Sequence, residues 1–345
     1  MKTGVSIYLS SGMEFNEKVL EKAKKAGVKY GFTSMHIPEE DGDDYKDRAI
    51  CLLQKCREAD LSLTIDVDPS TPEKLGLKRM EDLLDLGVKS LRLDFGFSDE
   101  DVVRLAKEFR LVWNASTVSF SDVISWEKMG VDISEFKACH NYYPKRYTGL
   151  SIEKVDKINE RLKLNGFTTE AFVPGNTSLR GPLHEGLPTV EEHRDRDDVL
   201  LNMLELYDAN TDIVYIGDCD IKDSDWERVA DLSKGFVRLK VQNLDIAELK
   251  DKLQHDRPDS SEYVIRSCES RLWDISYDLK QKNTIDCETG YICIANEGYL
   301  RYKGELEICR KPRKRDERVN VIGHVEKEDL KYLPYIKDGM GFMLI

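Results

Sequence analysis

Residues 63–68 read LTIDVD and residues 90–96 read SLRLDFG, with a helix-like stretch between them that opens on Ser70-Thr71-Pro72-Glu73. Each apolar run has the length of a buried strand and closes on a carboxylate. The hydroxyl, first-turn proline and acid at 70–73 form a helix-start signal. The same unit recurs on both sides: VSIYLS (5–10), KYGFTS (29–34), RLVWNAST (110–117), FKACHNYYP (136–144), TTEAFVPG (168–175) and DIVYIGD (212–218). Eight strand-length runs, separated by amphipathic helical stretches, predict an α/β fold of the (β/α)8 TIM-barrel type. Helices are predicted at 15–26, after Ser98, from Ser151 to an Asn165-Gly166 stop, at 189–206 and at 224–232.

The rhythm changes near residue 235. FVRLKVQNL, EYVIRSCESR, TIDCETGYICIAN, GYLRYKGELEIC, RVNVIGHV and GMGFMLI are strand-like, with glycine-containing turns and little helix. The expected organisation is a TIM-barrel catalytic domain over 1–236 followed by a small all-β barrel domain over 237–345.

The chain has 345 residues and a net charge of -13, which argues against a nucleic-acid partner. The basic run RKPRKRDER (310–318) is short, broken by acids, and reads as a solvated loop. No run approaches the roughly 18 apolar residues of a membrane span, and the N-terminal run is too short for a signal peptide. The expectation is a cytoplasmic protein with no membrane partner. Cys51, Cys56, Cys139, Cys219, Cys268, Cys287, Cys293 and Cys309 are scattered without a CxxC pair, which reads as buried reduced thiols rather than a zinc site or disulfide frame. No glycine-rich nucleotide motif and no strand-end lysine for pyridoxal phosphate appear. Neither a cofactor nor a metal is expected.

Barrel enzymes place their chemistry at the C-terminal ends of the strands. Those ends offer Tyr8, Ser34 with the following His36, Glu39 and Glu40, Asp66, Arg92 and Asp94, Asn114, His140, Asn141, Tyr142 and Tyr143, Glu170 and Asp218. Carboxylates, amides and aromatic rings are the vocabulary of a sugar site. Glycoside hydrolysis ordinarily needs two carboxyl groups flanking the anomeric carbon, and Asp94 and Glu170 are the candidate catalytic pair. Arg92 and Asp94 share a strand face, so a structural ion pair is the competing reading. Glu170 points either into the mouth or out to a helix. Tyr8, Ser34, Asp66, Arg92, Asn114, His140, Asn141, Tyr143, Arg180 and Asp218 are the candidate substrate-binding residues. Arg180, on the connection between the seventh and eighth strands, suits a phosphate dianion, with Arg92 and Arg194 as further basic groups.

GFTSMHIPEED, LRLDFGF, NAST, ACHNYYPKRYTGLS, AFVPGN, RGPLHEGLPTVEEHR and YIGD, in this order, resemble a bacterial family also known as domain of unknown function 871, some of whose members carry the label outer surface protein. That family is associated with 6-phospho-N-acetylmuramidase activity, glycoside hydrolase family 170. The tail segments GYICIANEGYLRYKGELEI and VNVIGHV are similar to its C-terminal cyclophilin-like domain. The resemblance implies an exo-glycosidase of cell-wall recycling. Its substrate would be N-acetylmuramic acid 6-phosphate linked β-1,4 to N-acetylglucosamine, a phosphorylated amino-sugar disaccharide. Two alternatives come from other classes: a metal-dependent barrel isomerase or epimerase using Asp66, Asp94, His140 and Glu170, and a non-catalytic sugar-phosphate sensor.

Overall fold

The computed structural model describes residues 1–35, 44–273 and 277–345; His36, Glu39 and Glu40 lie outside these. Two compact units divide the chain, Met1–Ser233 and Lys234–Ile345.

The first unit is a closed barrel of eight parallel strands, each paired with its sequence neighbours. They are β1 (Lys2–Ser6), β2 (Tyr30–Ser34), β3 (Ser62–Val67), β4 (Ser90–Leu93), β5 (Arg110–Asn114), β6 (Lys137–Cys139), β7 (Thr168–Val173) and β8 (Ile213–Ile216). Around them run α1 (Met13–Lys25), α2 (Tyr45–Glu58), α3 (Thr71–Lys74), α4 (Asp99–Leu105), α5 (Phe120–Lys128), α6 (Ile152–Leu164), α7 (Val199–Asp208) and α8 (Asp223–Ser233). The predicted barrel is therefore the observed one. Among the described residues no helix is long and apolar enough to cross a membrane.

The helix starts differ in detail. Ser98 and Asp101 form the expected reciprocal cap on α4. Ser151 Oγ accepts the Lys154 N–H at the start of α6. Ser70 makes no such bond; Asp68 Oδ1 instead accepts both its N–H and its hydroxyl, at 2.7 and 2.6 Å. The helix predicted from residue 189 begins only at Val199. Thr189 is committed elsewhere, accepting the Phe172 N–H and donating to the Asn141 carbonyl, and Asp198 supplies the cap by accepting the Leu201 N–H.

The strand registers stack inward side chains in layers. From the N-terminal side upward these are Tyr30, Ser90, Lys137 and Ile213; then Gly4, Thr64, Val112 and Glu170; then Phe32, Arg92, Cys139 and Tyr215; then Ser6, Asp66, Asn114 and Phe172. Gly4 is required in its layer, because a Cβ there would overlap the Tyr215 ring. Phe32, Phe172 and Tyr215 fill the middle of the barrel, with ring centroids 5.1 Å apart for Phe32–Phe172 and 5.4 Å for Phe172–Tyr215. Below that aromatic plug the barrel is closed; above it lies the mouth.

The second unit has a five-stranded sheet, in the order β10 (Val241–Gln242), β15 (Val319–Val325), β13 (Tyr291–Ala295), β14 (Leu306–Cys309), β12 (Val264–Arg266). A three-stranded sheet has β11 (Leu253–His255), β16 (Gly341–Leu344) and β9 (Phe236–Leu239). Of the run GYLRYKGELEIC only Leu306–Cys309 is extended, since Glu297–Tyr302 winds into 3-10 turns. Strand β11 was not anticipated from the sequence; its three residues alternate too briefly to register as a pattern.

Candidate active site

Three neighbouring strands bring a polar row to the mouth. Ser34 pairs in register with Asp66, and Asp66 with Arg92. Arg92 Nη1 donates to Asp66 Oδ1 at 2.9 Å, and its Nη2 donates to Asn141 Oδ1. Asn114 Nδ2 reaches the same Asn141 oxygen at 3.4 Å. Asp66 and Arg92 are 7 and 8% exposed, so this ion pair is largely withdrawn from solvent. Burial works against the Arg92 charge, but the adjacent Asp66 outweighs it and the guanidinium is held more firmly protonated than usual. The ion pair that Arg92 makes is with Asp66 rather than with Asp94, the partner in the competing reading. Asp94, half-buried one step above Arg92 on the same face, donates its N–H to the Val67 carbonyl at 3.1 Å.

A second group gathers on the opposite side. The Arg180 guanidinium lies 4.3 Å from the centroid of the Tyr8 ring and its Nη1 is 3.5 Å from the Tyr142 hydroxyl. Tyr8 donates its hydroxyl to the Gly217 carbonyl at 2.6 Å. Asp218 is fully buried and accepts three backbone N–H groups, from Gly175 (2.8 Å), Leu187 (2.9 Å) and Arg180 (3.0 Å). Burial pushes its carboxyl up, against the pull of those donors. Asp218 therefore holds the loop after β7 in the shape that sets Arg180 above Tyr8. Tyr142 packs edge-on against Phe32 and Phe172 and roofs the aromatic plug.

Other candidates are engaged differently. Glu170 points into the barrel but below the plug, where it is fully buried. Lys137 Nζ donates to its Oε1 at 2.9 Å and the Tyr215 hydroxyl does so at 3.3 Å. It does not face Asp94 across the mouth. His140 follows Cys139, an inward residue, and so turns outward toward α6, where its Nε2 meets Asn159 Oδ1 at 2.9 Å. Burial pushes its imidazole down to about 4. Tyr143 is bound through its backbone, to Pro188 and Arg194. At the mouth, Arg180 meets the Tyr8 ring and the Tyr142 hydroxyl. Arg194 is engaged by Glu191 and by the carbonyls of Tyr143, Lys145, Glu185 and Gly186, which makes it a loop clamp rather than a ligand for an anion.

The metal set Asp66, Asp94, His140 and Glu170 is consequently not assembled: one member faces a helix and another lies beneath the plug. Phe95, 86% exposed beside Asp94, is a further aromatic group of the kind sugars stack on, and its place directly after a strand-end carboxylate was the available signal.

With this geometry, two family descriptions match the chain: 6-phospho-N-acetylmuramidase, N-terminal, over residues 3–231, and 6-phospho-N-acetylmuramidase, C-terminal, over residues 237–345. The chain belongs to the 6-phospho-N-acetylmuramidase family. It is therefore an enzyme of the glycoside hydrolase class, in a family whose name specifies a phosphorylated sugar. Among solved structures it is similar to a conserved protein from a locus of unknown function in Enterococcus faecalis. That protein is 28% identical, with a TM-score of 0.75, and the match covers 100% of this chain and 96% of that one. It is also similar to an uncharacterized B. cereus protein, 25% identical with a TM-score of 0.74, covering 100% of this chain and 99% of that one. No curated protein matches.

Proposed function

We propose that the barrel mouth cleaves N-acetylmuramic acid 6-phosphate from a β-1,4-linked N-acetylglucosamine, acting from the chain end in cytoplasmic cell-wall recycling. The observation that carries this reading is the pairing of two groups at one mouth. One is an acidic and amide row (Asp66, Arg92, Asp94, Asn114, Asn141); the other is a cationic and aromatic group (Arg180, Tyr8, Tyr142). Arg180 receives the 6-phosphate. Its planar fork matches phosphate oxygens, and the phenol rings beside it limit competition from water. Asn114, Asn141 and Ser34 bind hydroxyls and the N-acetyl group, while Tyr142 offers a ring face.

The sequence suggested Asp94 with Glu170 as the catalytic carboxylates. Glu170 has no path to a glycosidic oxygen through the plug of Phe32, Phe172 and Tyr215, so we assign the second role to Asp66. Asp94, half-buried at the rim, protonates the leaving oxygen. Asp66, held in place by Arg92, faces the positive charge that develops at the anomeric carbon. For the second unit we keep the cyclophilin-like barrel reading. It is supported by the near-continuous run of β9 into β10 from one sheet to the other, and by the Asp256–Ser267 bridge that ties the residue after β11 to the residue after β12.

The test is kinetic. Asp94→Asn and Asp66→Asn each lose about 10²- to 10⁴-fold in kcat with a folded protein by circular dichroism. Near wild-type turnover in either variant removes that residue from the pair.

A further inference from the structure

Three of the cysteines that look scattered along the chain converge in the second unit. Cys293 lies in β13 and Cys309 in β14, and the Cys293–Glu307 register places Cys309 two residues along on the same face. Cys287 arrives from the segment before β13, fixed by reciprocal backbone bonds with Arg313, both 2.9 Å. The sulfurs of Cys287 and Cys293 are 3.7 Å apart and those of Cys293 and Cys309 4.0 Å, and all three lie within 4.8 Å of one another.

Three sulfurs bound to one ion at about 2.3 Å in a trigonal arrangement stand about 4 Å apart. The cluster already has that spacing, whereas a disulfide would need about 2 Å. The surroundings are apolar: Val264, Val319 and Val321 pack on the thiols. Arg313 is the charged exception. Its Nη1 bonds Glu307 at 2.6 Å, and its buried Nη2 has no hydrogen-bond partner among the described residues. Among those residues no histidine or carboxylate joins the three cysteines as a fourth ligand. Structural zinc is almost always four-coordinate, whereas soft thiolate ligands also select Cu(I).

We propose that Cys287, Cys293 and Cys309 form a three-thiolate site for a soft monovalent cation of the Cu(I) class, with Arg313 donating to the bound sulfurs. Binding releases the three thiol protons. The resulting complex carries two negative charges, beside an Arg313 already paired with Glu307.

The experiment is a titration of the reduced full-length protein with Cu(I), under anaerobic conditions and against a chromogenic Cu(I) chelator, with Zn(II) titrated in parallel. Wild type is expected to retain one Cu(I) per chain with thiolate-to-metal charge-transfer absorption. Cys293→Ser is expected to weaken retention at least a hundredfold, Arg313→Gln about tenfold, and Cys268→Ser, which removes an exposed thiol of the same unit, not at all. Absence of binding in wild type, equal retention by Cys293→Ser, or zinc bound in preference to Cu(I) would each overturn the proposal. The wild-type titration decides the matter even if a cysteine variant fails to fold.

Discussion

Replacing Glu170 by glutamine separates two roles for that carboxylate. As a partner buried with Lys137, it leaves an uncompensated ammonium when neutralised, and removing one member of such a pair costs about 3–5 kcal/mol. Glu170→Gln is thus expected to lower the urea midpoint sharply, and Lys137→Met combined with Glu170→Leu to recover most of the loss. A full loss of turnover at unchanged stability would instead return Glu170 to the chemistry. The sequence exposed the inward face of β3 and β4 correctly, because period-two alternation is local. It misjudged Glu170 because a side chain's depth in a closed barrel depends on the register of every strand around it. His140 is a different case. Cys139 and Asn141 share the inward face, so alternation alone already turned His140 outward, toward Asn159.

At the scale of elements, the proposed phosphate selectivity rests on the loop after β7. Asp218 gathers three of its N–H groups, and Gly217 lets it close, since a Cβ there would overlap the Leu187 carbonyl oxygen. Gly217→Ala is expected to displace Arg180. KM for a phosphorylated substrate should rise at least tenfold while kcat moves less, the signature of lost ground-state binding. Arg180→Ala should give the same pattern without loss of stability. An unchanged KM for the phosphorylated substrate in Arg180→Ala, measured by steady-state kinetics, would contradict the assignment. The long helix expected at 189–206 was misplaced for a physical reason: Thr189 is claimed by the ends of β6 and β7, a tertiary demand that no local propensity reveals.

For the whole molecule, buried titratable groups set the response to acid. The unfolded His140 takes up a proton through its ordinary 6.5, while the buried ring resists until about 4. The unfolded state binds more protons in that window, so stability falls as pH drops through it, by on the order of 3 kcal/mol. Glu191 extends the loss. Hydrogen bonding from Arg194, first among its causes, holds its carboxyl down to about 2 from an ordinary 4.5, so its contribution is present above 4.5 and disappears as pH falls toward 2. Urea unfolding across this range should show a declining free energy, and His140→Gln should flatten the upper part of the decline. The barrel itself was legible from the eightfold alternation of runs and helices. The two small sheets were less so, since their strands are short and their partners distant in sequence. The cysteine cluster was invisible because its members meet through the β13–β14 register and the Cys287–Arg313 bridge, neither of which is local in sequence.

The most direct measurement is product analysis after incubating the purified protein with the 6-phosphorylated muramyl–glucosamine disaccharide and, separately, with its unphosphorylated form. The account predicts release of both monosaccharides from the phosphorylated sugar alone in wild type, and loss of that selectivity in Arg180→Ala. Cleavage of both sugars at equal rates, or of neither, would contradict it.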